Sequence, residues 1–387
     1  MKQNKWFLLI VASVVGSLLL GACSISVELL STPTASATAV ASIPATDTPV
    51  PVASSVPATP TLTPTFIPIQ SDTAQMLKNF MSVTEDEDVR SVAFSPDGTV
   101  LAAAGGNAND FNVHVWDVAT GQLVGVLNGH TDIVWGLAFS PDGKLLASIS
   151  RDHKAIIRDW RNGDILKILD FPGEVTSVSF SPDGQTLAVG GVNKPSEQGH
   201  TAAIWTYSVS TWELSVKFLE YINITAMAYS PNGDILIGGG TSRNIQVWSV
   251  SDGASLFTLS HTHQVLKAVI SPDGSTLATG TCTKVVNSVC ADGGIWLWDL
   301  PTGKLIKKLN GFPDFVENLA FSADSSLLIA GSRDGTLHVY ETSNYGSIFE
   351  TKSPDGINAM SLSSDDKVLA IGTYNGDIHF WRIEPRP

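Results

Sequence analysis

Seven apolar runs in this chain end in the same tight turn, and this repeat constrains the fold more than any other feature of the sequence. The turn reads Phe-Ser-Pro-Asp-Gly in its full form, and successive copies lie about 40–50 residues apart. A period of this length is typical of repeat proteins whose units bury their apolar faces only by stacking on one another. The sequence therefore predicts seven similar units, marked by Ser95, Ser140, Ser181, Ser230, Ser271, Ser322 and Ser363.

The second copy shows what one unit contains. Val134, Leu137 and Phe139 alternate with smaller residues, as in a half-buried strand. Turn residues then separate further apolar runs, because proline presets the first corner of a turn and glycine tolerates positive φ. The unit is predicted to hold four short strands and no helix longer than a turn, at residues 134–139, 145–148, 155–157 and 164–169.

A recurring tryptophan marks the third strand of most copies. It is found at Trp116, Trp205, Trp248, Trp298 and Trp381, with Arg158 in the second copy and Tyr340 in the sixth. Together with the turn, this pattern resembles the WD-repeat (WD40-type) β-propeller family over roughly residues 72–382. The resemblance implies an all-β fold, a seven-bladed β-propeller of four-stranded blades.

The resemblance also implies a buried polar tetrad within a blade, made by a His before the first strand, a Ser or Thr, an Asp and the Trp. The fifth copy matches it throughout, with His261, Thr279, Asp292 and Trp298. The second copy keeps His130, Ser148 and Asp152 but has Arg158 in place of the Trp. An unpaired polar group inside a blade costs about 1–3 kcal/mol. Copies without the tetrad are therefore expected to rely on apolar packing between blades.

The two ends of the repeat region complement each other. The last copy ends on its third strand, at Trp381, whereas the first copy is preceded by residues 73–80, which align with fourth strands such as residues 303–309. We expect this N-terminal segment to pair with the last blade. The ring is then closed and no blade is left with an open edge.

The first 22 residues are predicted to be a lipoprotein signal peptide. Lys2 and Lys5 precede an uncharged run at residues 6–20, which is short for a membrane span. The run ends in Leu-Gly-Ala-Cys, which resembles the lipobox of bacterial lipoproteins, and the resemblance implies lipid attachment at Cys23. The protein is then expected on the extracytoplasmic side of a bacterial cell membrane or outer membrane. An ordinary signal peptide with an incidental cysteine is the alternative.

The remaining domain organisation follows from composition. Residues 23–30 form the lipidated N-terminus, residues 31–71 a Pro/Ser/Thr-rich disordered tether, and residues 72–387 the propeller. The tether holds eight prolines and a single charge, Asp47. Such a segment cannot bury a core, and at about 3 Å per residue it reaches on the order of 100 Å.

The cysteines indicate a disulfide rather than a metal site. Besides Cys23 the chain has only Cys282 and Cys290, both in one insertion between the second and third strands of the fifth blade. Two nearby cysteines outside the cytoplasm usually pair. A metal site needs more ligands, and we expect neither a metal nor another cofactor.

The charge of the chain excludes some partners. The net charge is −14, and basic runs are absent from the sequence. Nucleic acid and anionic lipid headgroups are therefore poor candidates as direct ligands of the propeller. We expect a monomeric propeller, attached to the membrane only through its lipid.

One aligned position near the start of the first strands suggests a binding site. The geometry of the WD-repeat family implies that residues at this position surround the top of the central channel. In the seven copies they are Arg90, Trp135, Thr176, Thr225, Leu266, Glu317 and Asn358. Trp135 beside Arg90 would anchor a peptide or a sugar, unless the indole is packed under a neighbouring loop. The candidate binding residues are Trp135, Arg90, Glu317 and Asn358.

Three loops on the same face are expanded, at residues 105–112, 191–201 and 281–293. Long loops on a rigid scaffold often carry binding residues, although tolerated insertion explains them equally well. We find no nucleophile elbow, phosphate-binding glycine loop or His-Glu-x-x-His motif. The leading hypothesis is a non-enzymatic protein–protein interaction scaffold in the cell envelope. A small-molecule or glycan binder is the alternative, and a propeller hydrolase is a third, weaker one.

Overall fold

The structure is a computed structural model that describes residues 67–85, 88–106, 110–192, 201–220, 224–286 and 289–383. The predicted signal peptide, Cys23 and nearly all of the tether lie outside these residues. Within them, no helix has the length and apolar character needed to cross a membrane. Apart from one 3-10 turn at Ala74–Met76, the regular elements described are all strands.

The strands of the first four blades follow in chain order after β1 (Leu77–Thr84). They are β2 (Val89–Phe94), β3 (Val100–Gly105), β4 (Val113–Asp117), β5 (Leu123–Leu127), β6 (Val134–Phe139), β7 (Leu145–Ser150), β8 (Lys154–Asp159), β9 (Ile165–Asp170), β10 (Val175–Phe180), β11 (Thr186–Val192), β12 (Ala202–Ser208), β13 (Leu214–Glu220), β14 (Ile224–Tyr229), β15 (Ile235–Gly240), β16 (Asn244–Ser249) and β17 (Ser255–Ser260).

The last three blades complete the set. Their strands are β18 (Val265–Ile270), β19 (Thr276–Val286), β20 (Val289–Asp299), β21 (Lys304–Phe312), β22 (Val316–Phe321), β23 (Leu327–Ser332), β24 (Thr336–Glu341), β25 (Gly346–Lys352), β26 (Ile357–Leu362), β27 (Leu369–Thr373) and β28 (Asp377–Ile383).

These strands form seven four-stranded antiparallel sheets, which confirms the predicted seven-bladed propeller. The first strand of each blade contacts the first strands of both neighbouring blades, from β2 through β6, β10, β14, β18 and β22 to β26 and back to β2. The first strands therefore form the inner ring of the propeller and enclose its central channel.

The ring is closed by the N-terminal strand, as expected. β1 is the outer strand of the seventh blade and pairs antiparallel with β28, with Leu77 opposite Ile383 and Thr84 opposite Asp377. The strand lies further along the chain than the predicted residues 73–80, because residues 74–76 form the 3-10 turn. Leu77 is buried in the core between the sixth and seventh blades, so this strand contributes packing as well as hydrogen bonds.

The repeated turn has a physical reason. In all seven copies the Ser Oγ donates to a side-chain oxygen two residues on, at 2.5–2.8 Å. It also accepts from a backbone N–H at the start of the next strand, or one residue before it in the seventh copy, at 2.9–3.1 Å. The hydrogen bond from Ser140, followed by the N–H of Lys144, lowers the pKa of Asp142 to about 2. The turn therefore fixes the exit of each inner strand through one hydroxyl and one side-chain oxygen, a carboxylate in six copies and the Asn232 amide in the fourth.

Apolar packing lies between blades, as the scarcity of polar tetrads led us to expect. The structure contains seven clusters of buried apolar residues, one at each junction between neighbouring blades. One cluster joins Ile149 and Ile157 of the second blade to Val175 and Leu187 of the third. Each blade is thus stabilised on both faces by its neighbours rather than by a core of its own.

One detail of the repeat alignment was wrong. In the fourth blade Trp248 lies opposite Leu236, but in the third blade the equivalent residue of β11, Leu187, lies opposite Tyr207. Trp205 lies two residues earlier, opposite Val189. The insertion at residues 193–200 removes the fixed spacing on which the assignment of Trp205 depended.

Candidate functional site

The central channel opens into a cavity of about 410 Å³ at the starts of the inner strands. Arg333, after β23, and Tyr374, after β27, belong to turns between second and third strands, and both line this cavity. The Ser-Pro-Asp-Gly turns follow the opposite ends of the inner strands. The cavity is therefore on the face away from the repeated turn, where the sequence analysis placed its candidate site.

The structure brings all four candidate binding residues to this one cavity. Arg90, Trp135, Glu317 and Asn358 each line it, as do the other members of the aligned position, Thr176, Thr225 and Leu266. The repeat alignment and the geometry of the propeller family together account for this placement, because residues at one register position of seven equivalent inner strands lie on one ring. Whether these residues bind a ligand is a separate question.

Trp135 and Arg90 form one unit at the edge of the cavity. The Arg90 guanidinium lies over the Trp135 ring, 4.9 Å from its centroid, and pairs with Asp88 at 2.5 Å. Trp135 is half-buried and packs against the core between the second and third blades. The indole lines the cavity, while its Nε1 is buried without a hydrogen-bond partner among the described residues.

Glu317 belongs to a hydrogen-bonded group that sequence reasoning missed. One carboxylate oxygen of Glu317 bonds Arg333 and the other accepts from the Tyr374 hydroxyl at 2.9 Å. Burial and the Glu317 carboxylate raise the pKa of Tyr374 to about 12. Arg333 and Tyr374 come from short turns with no marking motif, so only the folded ring shows that they reach Glu317. The charge of Glu317 is therefore already engaged within the wall.

Hydroxyl side chains of the inner ring connect neighbouring blades. Ser91 accepts from the backbone N–H of Leu137 at 3.1 Å, and Thr225 donates to the carbonyl of Val265 at 2.7 Å. Thr176 donates to the carbonyl of Ile224 in the same way. These hydroxyls are thus used to hold the wall of the cavity in place.

Lys267 is a second residue that the sequence analysis did not single out. It lies on β18, one residue beyond the ring position held by Leu266, and lines the same cavity. Its signal was present in the sequence, since the equivalent residues of the other six inner strands are uncharged: Ser91, Gly136, Ser177, Ala226, Asn318 and Ala359.

The polar tetrad predicted for the fifth blade is incomplete. Nε2 of His261 lies 2.8 Å from Thr279 Oγ1, and Trp298 Nε1 donates to the same oxygen at 3.4 Å. Asp292 bonds elsewhere, to the Thr283 hydroxyl at 2.9 Å and to the Gly311 N–H at 3.2 Å. The resemblance gave Asp292 the role of the tetrad Asp, but in the structure it lies in an extended hairpin, opposite Lys284. Burial lowers the pKa of His261 to about 4, so this imidazole is neutral.

The second blade holds the network that the fifth lacks. Nδ1 of His130 donates to Asp152 Oδ2 at 2.9 Å, and Nε2 bonds Ser148 Oγ at 2.9 Å. Arg158, in the Trp position, donates to the carbonyl of Asn128 at 2.8 Å. The side chains of His130 and Asp152 are 2% and 4% exposed, so this network is a buried structural element of the blade.

The first blade uses a different set of groups at the same place. Glu85 is only 8% exposed and replaces the His of the tetrad; it bonds His114 and accepts from Trp116 Nε1 at 2.7 Å. Asp110 lies 3.5 Å from the other ring nitrogen of His114. Sequence alignment could not find this network because Glu85 and His114 do not match the tetrad pattern.

The fifth-blade insertion is a hairpin joined by a disulfide. β19 and β20 continue past the blade, and Cys282 and Cys290 are bonded with their Cα atoms 5.8 Å apart. Of the other two expanded loops, residues 107–109 and 193–200 lie outside the described residues.

One group has the composition of a metal site. Single ligand atoms of Asp355, Asp377 and His379 lie within 4.8 Å of one another. However, Asp377 accepts from the Thr84 hydroxyl at 2.7 Å and Asp355 from the Asn375 amide at 2.6 Å, so both carboxylates are already engaged by the protein.

The family comparison agrees with the architecture. A family model described as "WD domain, G-beta repeat" matches residues 78–117, 121–159, 163–205, 217–249, 303–341 and 346–382. These ranges leave out residues 250–302, which include the extended β19–β20 hairpin. Six repeats are thus matched by sequence, and the structure supplies the seventh blade.

Several curated proteins are similar to parts of this chain. Protein groucho of Drosophila melanogaster is 30% identical over 194 residues, 50% of this chain and 25% of groucho. Protein FIZZY-RELATED 1 of Arabidopsis thaliana is 27% identical over 266 residues, 66% of this chain and 51% of that protein. Periodic tryptophan protein 2 homolog of Neurospora crassa is 27% identical over 196 residues, 45% of this chain and 21% of that protein. The chain spans about half or less of the length of these relatives.

Proposed function

Because the chain belongs to the WD40 repeat family, whose propellers are typically protein-interaction scaffolds, we propose that this propeller binds a protein partner at the mouth of its central channel. The fold alone does not assign a function, so the proposal depends on the site. It is carried by one observation: Arg90, Trp135, Glu317 and Asn358 line a single cavity on one face of the ring.

The Trp135–Arg90 unit has the chemistry of an interface anchor. Tryptophan and arginine dominate the residues whose truncation costs most at protein interfaces. Here the guanidinium is already stacked on the indole and paired with Asp88. A partner would therefore meet a pre-ordered surface and lose less side-chain entropy on binding.

We assign the cavity a binding role rather than a catalytic one. Ser91, Thr176 and Thr225 are hydroxyls of its wall, and each is bonded to the backbone of a neighbouring blade. Activation of a nucleophile needs a base within hydrogen-bond reach, and the hydroxyls of Thr176 and Thr225 donate to backbone carbonyls instead.

The proposal also places the propeller in the cell envelope, held by a lipid on Cys23 and separated from the membrane by the tether. It rests on the order of charged, apolar and small residues up to Cys23 in the sequence. The relatives named above are eukaryotic proteins, so this part depends on residues 1–23 alone. Two or more acyl chains would be needed for a stable anchor.

Crosslinking in intact cells followed by capture of the propeller tests the interaction. Trp135→Ala is expected to remove the captured partner. Trp160→Ala is a matched control, because Arg161 lies over its ring at 4.6 Å and Trp160 bonds Gly143 of a repeated turn, on the opposite face. Equal capture by wild type and Trp135→Ala would contradict the proposed surface.

The anchor is tested separately by membrane fractionation and intact mass. The mature protein should begin at Cys23 with added acyl mass, and Cys23→Ser should release it from the membrane fraction. A mature N-terminus elsewhere, or an unchanged membrane fraction for Cys23→Ser, would contradict lipidation.

A small-molecule or glycan ligand is the second candidate, and the size of the cavity favours it. A volume of about 410 Å³ is within the range of roughly 300–1,000 Å³ found for small-ligand sites. A glycan that raises the melting temperature of wild type and Trp160→Ala, but not of Trp135→Ala, would support this candidate. A glycan panel that leaves the wild-type melting temperature unchanged would oppose it.

A further inference from the structure

The inner ring of the propeller contains a lysine without a counter-ion. Lys267 is half-buried, yet the described residues provide its ammonium with neither a hydrogen bond nor an ion pair. Burial lowers the pKa of the Lys267 ammonium, and among the described residues no carboxylate counteracts this shift. An ammonium enclosed by protein without a partner is costly.

Lys267 lies at the junction of two parts of the channel. It lines the cavity at the mouth, of about 410 Å³. It also lines a second cavity of about 310 Å³ that follows the third, fourth and fifth inner strands and is otherwise mostly apolar, with Phe180, Met227 and Val269 in its wall. The ammonium is thus reached through the channel rather than from the outer surface of a blade.

The charges around Lys267 are unbalanced. Among the described residues that line the mouth cavity, three are cationic, Arg90, Lys267 and Arg333, and one is anionic, Glu317. Glu317 is bonded to Arg333 and Tyr374, and Arg90 pairs with Asp88. Lys267 is the cation left over. This is notable in a protein whose net charge is −14.

We infer that the channel of this propeller is an anion-binding site in which Lys267 pairs with a compact carboxylate or phosphate group that enters from the mouth. The inference deepens the proposed function, because it rests on the same cavity and specifies the chemistry of the group that enters it. The other six blades have small or neutral residues at the register position of Lys267. These residues leave the channel beside the Lys267 ammonium accessible to a group that enters from the mouth. An anion would supply the missing counter-ion, and a charge-assisted hydrogen bond forms readily in a site of low dielectric.

The source of the anion can be an acidic side chain or C-terminus of a protein partner, or a free small molecule. The first arm of the test uses free anions, inorganic phosphate and succinate. Melting temperatures are measured at constant ionic strength, since exposed charges respond to salt alone. Ligand that binds only the folded protein raises the melting temperature in proportion to the logarithm of its concentration over Kd.

Lys267→Met keeps the unbranched side chain and removes the charge, and Lys267→Arg restores it. Lys144→Met is the matched control, because Lys144 is 72% exposed in a repeated turn on the other face. Phosphate or succinate should stabilise wild type, Lys144→Met and Lys267→Arg. Lys267→Met should bind the anion about tenfold to a hundredfold more weakly. No stabilisation of wild type, or equal stabilisation of Lys267→Met, would overturn the inference.

The second arm repeats the crosslinked capture with Lys267→Met and with added phosphate. Reduced capture in both cases would identify an acidic group of the partner as the anion. Stabilisation by free anions with unchanged capture would identify a small molecule. If Trp135→Ala abolishes capture while no anion binds, the interaction surface stands and the anion site fails. If anions bind through Lys267 but no partner depends on Trp135, the anion site stands and the scaffold proposal fails.

Discussion

Replacing one aspartate in each of two blades tests whether the polar network of a blade follows the alignment or the observed geometry. The alignment gives Asp152 and Asp292 the same role. In the structure Asp152 accepts from His130 Nδ1 at 2.9 Å and from the N–H groups of Thr131 and Lys154 at 3.0 Å. Asp292 accepts from the Thr283 hydroxyl and the Gly311 N–H near the surface. Asp152→Ala and Asp292→Ala should therefore differ strongly in free energy of unfolding.

The magnitude follows from burial. The side chain of Asp152 is 4% exposed and that of His130 is 2% exposed, so Asp152→Ala leaves a buried imidazole N–H without an acceptor. A buried unsatisfied donor costs about 1–3 kcal/mol, and the two lost backbone hydrogen bonds add to it. We expect Asp152→Ala to lower the free energy of unfolding by about 2–4 kcal/mol. The groups around Asp292 can bond water, so Asp292→Ala should cost less than about 1 kcal/mol.

Urea unfolding at pH 7, followed by tryptophan fluorescence and by far-ultraviolet circular dichroism, measures both differences. Burial alone would raise the pKa of Asp152, but His130 and the N–H groups of Thr131 and Lys154 lower it overall, below 3.8. The stabilisation is then complete above pH 3.8 and is lost as the pH falls through the lower folded value. The gap between wild type and Asp152→Ala should narrow toward pH 3. A cost for Asp292→Ala equal to that for Asp152→Ala would refute the reasoning.

Three further predictions concern closure, the disulfide and one turn. Deleting residues 72–84 removes β1 and exposes the edge of β28. Scanning calorimetry should then show a melting temperature lower by on the order of 10 °C, or size-exclusion chromatography should show oligomers. A monomer with an unchanged melting temperature would contradict closure by β1. Cys282→Ala with Cys290→Ala opens a link of sequence separation 8 and should lower the free energy of unfolding by about 2–3 kcal/mol; equal stability under oxidising conditions would contradict this. Burial and nearby carboxylates raise the pKa of Asp366 to about 6, so its stabilising neutral form is lost as the pH rises through 6. The difference in melting temperature between Asp366→Asn and wild type should therefore increase in favour of Asp366→Asn between pH 4 and pH 7. Below pH 4 this difference should not change.

Much of the architecture could be predicted because each unit repeats the same local chemistry. The hydrogen-bond partners of the Ser140 hydroxyl lie within five residues of it, at Asp142 and Leu145. This turn could therefore be predicted from the sequence. Closure by β1 was also predictable, since the last repeat lacks a fourth strand and an additional strand-like segment precedes the first repeat. Its register was not, because the 3-10 turn at Ala74–Met76 changes where the strand begins.

The polar networks could be predicted less well. The role of Asp292 depended on a fixed spacing from His261, and the hairpin of β19 and β20 moves its carboxylate away. Glu85 and His114 form a network of their own in the first blade, with Glu85 where the family pattern has a His and His114 at a position that the pattern does not use. Side chains that meet across an insertion or a substitution are placed by packing, and sequence spacing does not record packing.

The sequence by itself determined the number of units, the strand content of each unit and the ring of residues at the channel mouth that includes Trp135 and Glu317. The number and strand content of the units depend on the repeated sequence pattern, and the ring follows from that pattern together with the geometry of the family that it resembles. Only the tertiary structure decided that Arg333 and Tyr374 engage Glu317 and that Lys267 lines the channel with no counter-ion among the residues that the structure describes. Closing seven blades into a ring brings residues from distant blades to one cavity, and the balance of charge there is a property of the whole ring.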